Sequence, residues 1–96
     1  MQYEAICAFH PNTAEEKLEA LLTRFKERIE NAGGKVGDVN KQGLKELAYK
    51  FQKEKSIHKA YFVHMTFEGG GRTPNELRNF IGVTEEVVRH IITRVN

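Results

Sequence analysis

Cys7 is the only cysteine in the 96-residue chain and its one candidate thiol nucleophile. A reactive thiolate needs a base or a cation beside it. Cys7 instead sits inside Tyr3-Glu4-Ala5-Ile6-Cys7-Ala8-Phe9, on the alternating set Tyr3, Ala5, Cys7 and Phe9. That set reads as the covered side of a strand, where free cysteine acts as a small hydrophobe. Ser56 has His58 two residues on, but a hydrolytic triad also needs a carboxylate and an oxyanion hole. Cys7-x-x-His10, with His58, His64 and His90 scattered beyond it, lacks paired-ligand spacing for a metal. Gly69-Gly70-Gly71 is not followed by the Gly-Lys-Ser/Thr of a phosphate loop and reads as a connector. The residues predict no enzyme, no cofactor and no small-molecule substrate.

Binding is the chemistry that remains. Lys41, Lys45, Lys50, Lys53, Lys55 and Lys59 fall in one central stretch, and Arg72, Arg78, Arg89 and Arg94 in the last third. Such a basic half can hold a nucleic-acid backbone through phosphate contacts. Lys59-Ala60-Tyr61-Phe62-Val63 faintly echoes the third-strand signature of RNA-recognition domains, but Ala60 replaces its glycine and the two aromatics alternate in direction. Only Phe62 is then a candidate stacking ring. Ile6, Phe62 and Ile92 are the apolar candidates for a protein-binding surface.

These side chains need elements to position them. Thr13-Ala14-Glu15-Glu16 reads as a capping box, with Leu18, Leu21, Leu22, Phe25, Ile29 and Ala32 behind it at helical spacing. The pattern predicts a helix over about 14–32, stopped by Gly33-Gly34. Lys35 to about Phe51 is extended, with a bulge or bend expected near Gly43, and Gln52 to Ser56 is the expected hairpin turn. Lys59–Phe67 places Tyr61, Val63, Met65 and Phe67 on one face, and Ala60, Phe62, His64 and Thr66 on the other. Thr73-Pro74-Asn75-Glu76 repeats the helix-start chemistry, with Leu77, Phe80 and Ile81 as its apolar face and Gly82 as its end. Val87–Val95, rich in β-branched residues, is a last strand. The order β-α-β-β-α-β predicts one α+β, ferredoxin-like domain over 1–96: a four-stranded antiparallel sheet with two helices on one face.

Composition sets the outer bounds. An apolar fraction of 40%, a charged fraction of 29% and a net charge of +2 describe an ordinary soluble domain. No apolar run approaches the roughly 20 residues of a bilayer span, and Met1-Gln2-Tyr3-Glu4 lacks the regions of a secretory signal. A cytoplasmic protein with no membrane partner is expected.

A family resemblance sharpens this. Gly43-Leu44-Lys45-Glu46-Leu47-Ala48-Tyr49-Lys50-Phe51 resembles the Gly-x-Arg-x-Leu-Ala-Tyr-Pro-Ile signature of the bacterial small-subunit ribosomal protein S6 family. Tyr3-Glu4 in the opening strand and His58 to Met65 in the third strand fall where that family's do. Thr84-Glu85-Glu86-Val87-Val88-Arg89 resembles its Asn-Glu-Asp-Val-Leu-Arg. The resemblance implies a ribosomal, cytoplasmic protein without catalysis, binding the central domain of small-subunit ribosomal RNA together with ribosomal protein S18. Carried over by position, Arg89 is the RNA-facing arginine and Lys45 takes the place of the strand arginine. Arg78 and Tyr3 complete the expected nucleic-acid set, and Phe62, Ile6 and Ile92 the expected partner set. Lys45 supplies a point charge where an arginine would supply a fork, and Lys50 replaces the signature proline. The alternative is a protein–protein module, or a fold scaffold that keeps the ferredoxin-like fold without RNA binding.

Overall fold

The computed structural model describes residues 1–46 and 59–95. Its elements run β1 (Gln2–Phe9), α1 (Glu15–Asn31), β2 (Lys35–Glu46), β3 (Lys59–Glu68), α2 (Arg72–Gly82) and β4 (Val87–Arg94). The four strands form one sheet in the order β2-β3-β1-β4, with every neighbouring pair antiparallel. This is the expected ferredoxin-like arrangement. The Gln52–Ser56 turn and the Ser56/His58 pair lie outside the described residues.

Alternation in the strands divides the sheet into two faces. Tyr3, Ala5, Cys7 and Phe9 of β1 share a core with Val63, Met65 and Phe67 of β3. Leu18, Leu21, Leu22, Phe25 and Ile29 of α1, and Leu77 and Ile81 of α2, close over that side. Phe9 stacks near Phe25 at 6.0 Å between ring centres, and Phe25 meets Phe80 edge-on at 5.6 Å. Arg28 lies 4.7 Å above the Phe80 ring, so one aromatic of α2 is held by two side chains of α1.

The helix termini differ from expectation. Ala14, in extended conformation, is the N-cap of α1 and makes no side-chain capping bond. The Thr13 N–H donates to His10 O, which tightens the His-Pro-Asn turn and leaves Thr13 one residue too early to cap. Thr73 is fully buried inside the first turn of α2, whose N-cap is Gly71. Its Oγ1 donates to Ala32 O at 3.1 Å, tying the start of α2 to the end of α1. At that end the Gly34 N–H bonds Ile29 O and the Gly33 N–H bonds Glu30 O, with Gly33 at φ 82°. That is a Schellman stop, and its left-handed residue favours glycine.

The expected irregularity at Gly43 is present: the β2–β3 register shifts between Lys41 and Gly43, and Gly43 has φ 86°. A further shift between Val36 and Val39 sets Gly37 and Asp38 together opposite Thr66. Among the described residues, no helix is long and apolar enough to cross a membrane.

Candidate functional site: the open face of the sheet

Both helices cover one side, and among the described residues no element covers the other side of the sheet. Pairing registers give its rows. One row runs Asn40, His64, Ile6, Ile91 across the four strands, and the next runs Gly43, Phe62, Ala8, Arg89. A third brings Thr66, Glu4 and Thr93 together. Beyond the Phe62 row, Lys45 stands opposite Ala60 on the same face.

The centre of this platform is apolar. Ile6 and Ile91 face each other across the β1–β4 pair and are 36% and 43% exposed. Phe62 packs beside Ala8, Ala60 and Val88, so its ring is partly covered by small neighbours. The β1–β4 register shift between Ala8 and Phe9 sets Val88 and Arg89 together against Ala8. The bulge puts a buried valine and an exposed arginine side by side.

The expected site residues do not form a single patch. Arg89 and Lys45 share the open face at one end of the sheet, separated by two strands. Three strand spacings across and two residues along place their backbones about 16 Å apart. Arg78 is on α2, in the other layer, where Nη1 donates to Asn75 Oδ1 at 2.9 Å. Tyr3 belongs to the core: it is 6% exposed, stacks on Phe67 at 5.2 Å, and its hydroxyl reaches Met1 Sδ. A ring so placed has no face for a nucleotide, which corrects its expected RNA-facing role. Ile92 is also displaced, because it pairs with Ala5 on the covered side and packs against the core. Its neighbour Ile91 occupies the open position expected of Ile92. Counting alternation outward from β1 identifies it, once the β1–β4 register is known.

Charge is sorted as well. Lys41 points to the helix side and pairs with Glu19 of α1, leaving the open face without it. The opposite end of the open face carries Glu4 and Glu68, with Lys35 opposite Glu68. These residues line a cleft of about 410 Å³ together with Gly37 and Thr66. His64 Nε2 lies 3.7 Å from Glu4 Oε2 across β3 and β1.

The thiol on the covered side is no nucleophile. Burial pushes Cys7 up to about 12, which keeps it protonated and unreactive at neutral pH. Among the described residues, no group of three or more His, Cys, Asp or Glu side chains could hold a metal ion. In the glycine connector, the Gly69 N–H donates to Met1 O and the Gly70 carbonyl accepts from Thr73 N, so the loop joins β3 to α2.

Comparison with known proteins agrees with the fold and extends it. The family model described as ribosomal protein S6 matches residues 2–94. The small ribosomal subunit protein bS6 of Carboxydothermus hydrogenoformans is 36% identical over 93 residues, covering 97% of this chain and 94% of that protein. The bS6 of Clostridium kluyveri is 37% identical over 93 residues, covering 97% and 95%. The crystal structure of 30S ribosomal protein S6 from Thermotoga maritima superposes with a TM-score of 0.85 at 32% identity, covering 97% of this chain and 85% of that one. The matches span the chain from its first strand to its last, and the family's role is structural rather than enzymatic: this chain belongs to the ribosomal protein S6 family.

Proposed function

We propose that this protein is a structural constituent of the small ribosomal subunit in the bacterial cytoplasm. It binds the central domain of small-subunit ribosomal RNA together with ribosomal protein S18. The observation that supports this most is the family match over residues 2–94, with relatives named as small-subunit proteins aligned along nearly their whole length. The binding chemistry follows from the sheet. Arg89 and Lys45 flank the basic end of the open face and supply phosphate contacts, while Arg78 offers a further contact from the helix layer. Such contacts recognise backbone shape rather than base identity and weaken steeply with salt. The role needs no cofactor and no small-molecule substrate.

The test is a salt-series titration of a central-domain RNA fragment, with and without S18. Partner-dependent binding that falls linearly on a log–log salt plot is expected. Arg89→Ala should reduce the salt slope by about 1 and leave the melting temperature nearly unchanged. An absence of binding in either mixture, from a folded chain, would overturn the RNA reading. Binding to S18 alone would favour the protein-module alternative, which the exposed Ile6–Ile91 pair supports.

A further inference from the structure

The chain holds three sulfur atoms, in Met1, Cys7 and Met65. Cys7 and Met65 are fully buried in the core, whereas Met1 is 58% exposed. We infer that Met1 is a site of reversible oxidation. A peroxide delivers oxygen there to one face of the sulfur, the face away from the Tyr3 hydroxyl, and forms mainly one of the two sulfoxide epimers.

Two contacts hold this residue. The Gly69 N–H donates to Met1 O at 3.0 Å and ties the Met1 backbone to the connector between β3 and α2. The Tyr3 hydroxyl donates to Met1 Sδ at 3.3 Å. That hydroxyl is itself fixed, because the Tyr3 ring is buried and stacked on Phe67. A thioether sulfur has two lone pairs, and oxygen added to one or the other gives opposite epimers. The hydroxyl occupies one of them and draws density from it, which leaves the other for an oxidant. Beside Met1 lies a hollow of about 360 Å³ bordered by Gly33, Gly34, Gly69 and Gly70, none of which has a side chain to shield it.

The free lone pair attacks one oxygen of hydrogen peroxide, the O–O bond breaks and an S–O bond forms. Sulfur is oxidised by two electrons and the peroxide is reduced to water, the proton of the transferred oxygen passing to the departing hydroxide. The thiol does not compete for the peroxide, since burial keeps Cys7 protonated and the thiolate is the reactive form. Oxidation makes the sulfur electron-poor, so its remaining lone pair is a weaker acceptor for the Tyr3 hydroxyl. The change at the surface is thereby felt at a ring that belongs to the core.

The test uses the full chain with carbon-13 in its methionine methyl groups, which gives one signal each for Met1 and Met65. On treatment with hydrogen peroxide the Met1 signal should give way to two sulfoxide signals in a ratio of about 4:1, the discrimination one weak hydrogen bond supplies. The Met65 signal should persist, and the Tyr3 ring resonances should shift. Each of the two epimer-specific methionine sulfoxide reductases, added separately, should then remove a different one of the two signals. Near-equal epimers in the folded chain, or oxidation of Met65 at the rate of Met1, would overturn the inference.

Two comparisons assign the selectivity to the hydroxyl. Tyr3→Phe keeps the ring against Phe67 but has nothing to donate, so its epimer ratio should fall to about 1:1. Circular dichroism checks that this variant folds. The unchanged chain oxidised in urea should also give about 1:1 and should lose its Met65 signal as well, because neither sulfur is then held or covered. A ratio that stays near 4:1 in folded Tyr3→Phe would overturn the role of the hydroxyl. If that variant does not fold, the urea comparison decides, and equal ratios in the folded and unfolded chain would sink the inference.

Discussion

Cys7 sits between Val63 of β3 and His90 of β4 in register, and its thiol is held protonated to about pH 12 by burial. In the unfolded chain the same thiol ionises near its ordinary 9.0. Below that pH both states keep the proton and stability is unaffected. Above it the unfolded state loses its proton first, so stability falls as pH rises from about 9 to about 12. Urea unfolding across that range should show a decline of up to ~1.4 kcal/mol per pH unit in excess of that in Cys7→Ala. The two helix-start threonines make a sharper contrast. Thr73→Val removes the donor to Ala32 O and should cost about 1–3 kcal/mol in chemical denaturation. Among the described residues Thr13 Oγ1 is buried without a partner, so Thr13→Val should be neutral or slightly stabilising. Sequence makes these two threonines look alike, because each precedes a glutamate by three residues. What separates them is tertiary: one hydroxyl meets a carbonyl at the end of another helix, 41 residues away in sequence. Tyr3 and Ile92 are similar cases, since their roles depend on which side of the sheet the helices cover and on the β1–β4 register.

At the scale of elements, β2 is an edge strand interrupted twice, and each interruption has its own residue chemistry. Gly43 holds a left-handed conformation with open space where a Cβ would stand, so the cost of replacing it is conformational rather than steric. Gly43→Val should destabilise by about 1–2 kcal/mol in thermal or urea unfolding, with the larger loss for a β-branched side chain than for Gly43→Ala. Bends in an edge strand also blunt it against pairing with other chains, and Lys35, Lys41, Lys45 and Glu46 add charge to the same edge. The periodicities of 2 and 3.6 made β1, α1, β3 and the apolar face of α2 readable, because each pattern is complete within its own segment. Gly43 was readable as a break on a different ground: a strand from Lys35 to Phe51 would outrun a small domain. The direction of Lys41 was not, since its pairing with Glu19 depends on how β2 lies over α1.

For the molecule as a whole, the larger core cluster is shared by both helices and the central strands. Phe25 touches both halves of it, through Phe9 of β1 and Phe80 of α2. Phe25→Ala should therefore lower global stability by about 3–5 kcal/mol in a single cooperative transition, with near- and far-ultraviolet circular dichroism melting together. The family signature was legible along the chain, but the division of the open face into basic, apolar and mixed-charge zones emerges only when four separate strands are set in register. The strand order β2-β3-β1-β4 has a further consequence for biosynthesis. β1 is translated first among the strands and β4 last, yet they are neighbours, and the Val95 N–H closes their junction on Gln2 O. A nascent chain that has emerged only through α2 has β1 paired on one side and bare on the other. Its exposed amide and carbonyl row is then a target for strand exchange with other nascent chains. Completion of the sheet must await release of Val87–Arg94 from the exit tunnel, so the final folding step follows, rather than accompanies, synthesis of the earlier elements.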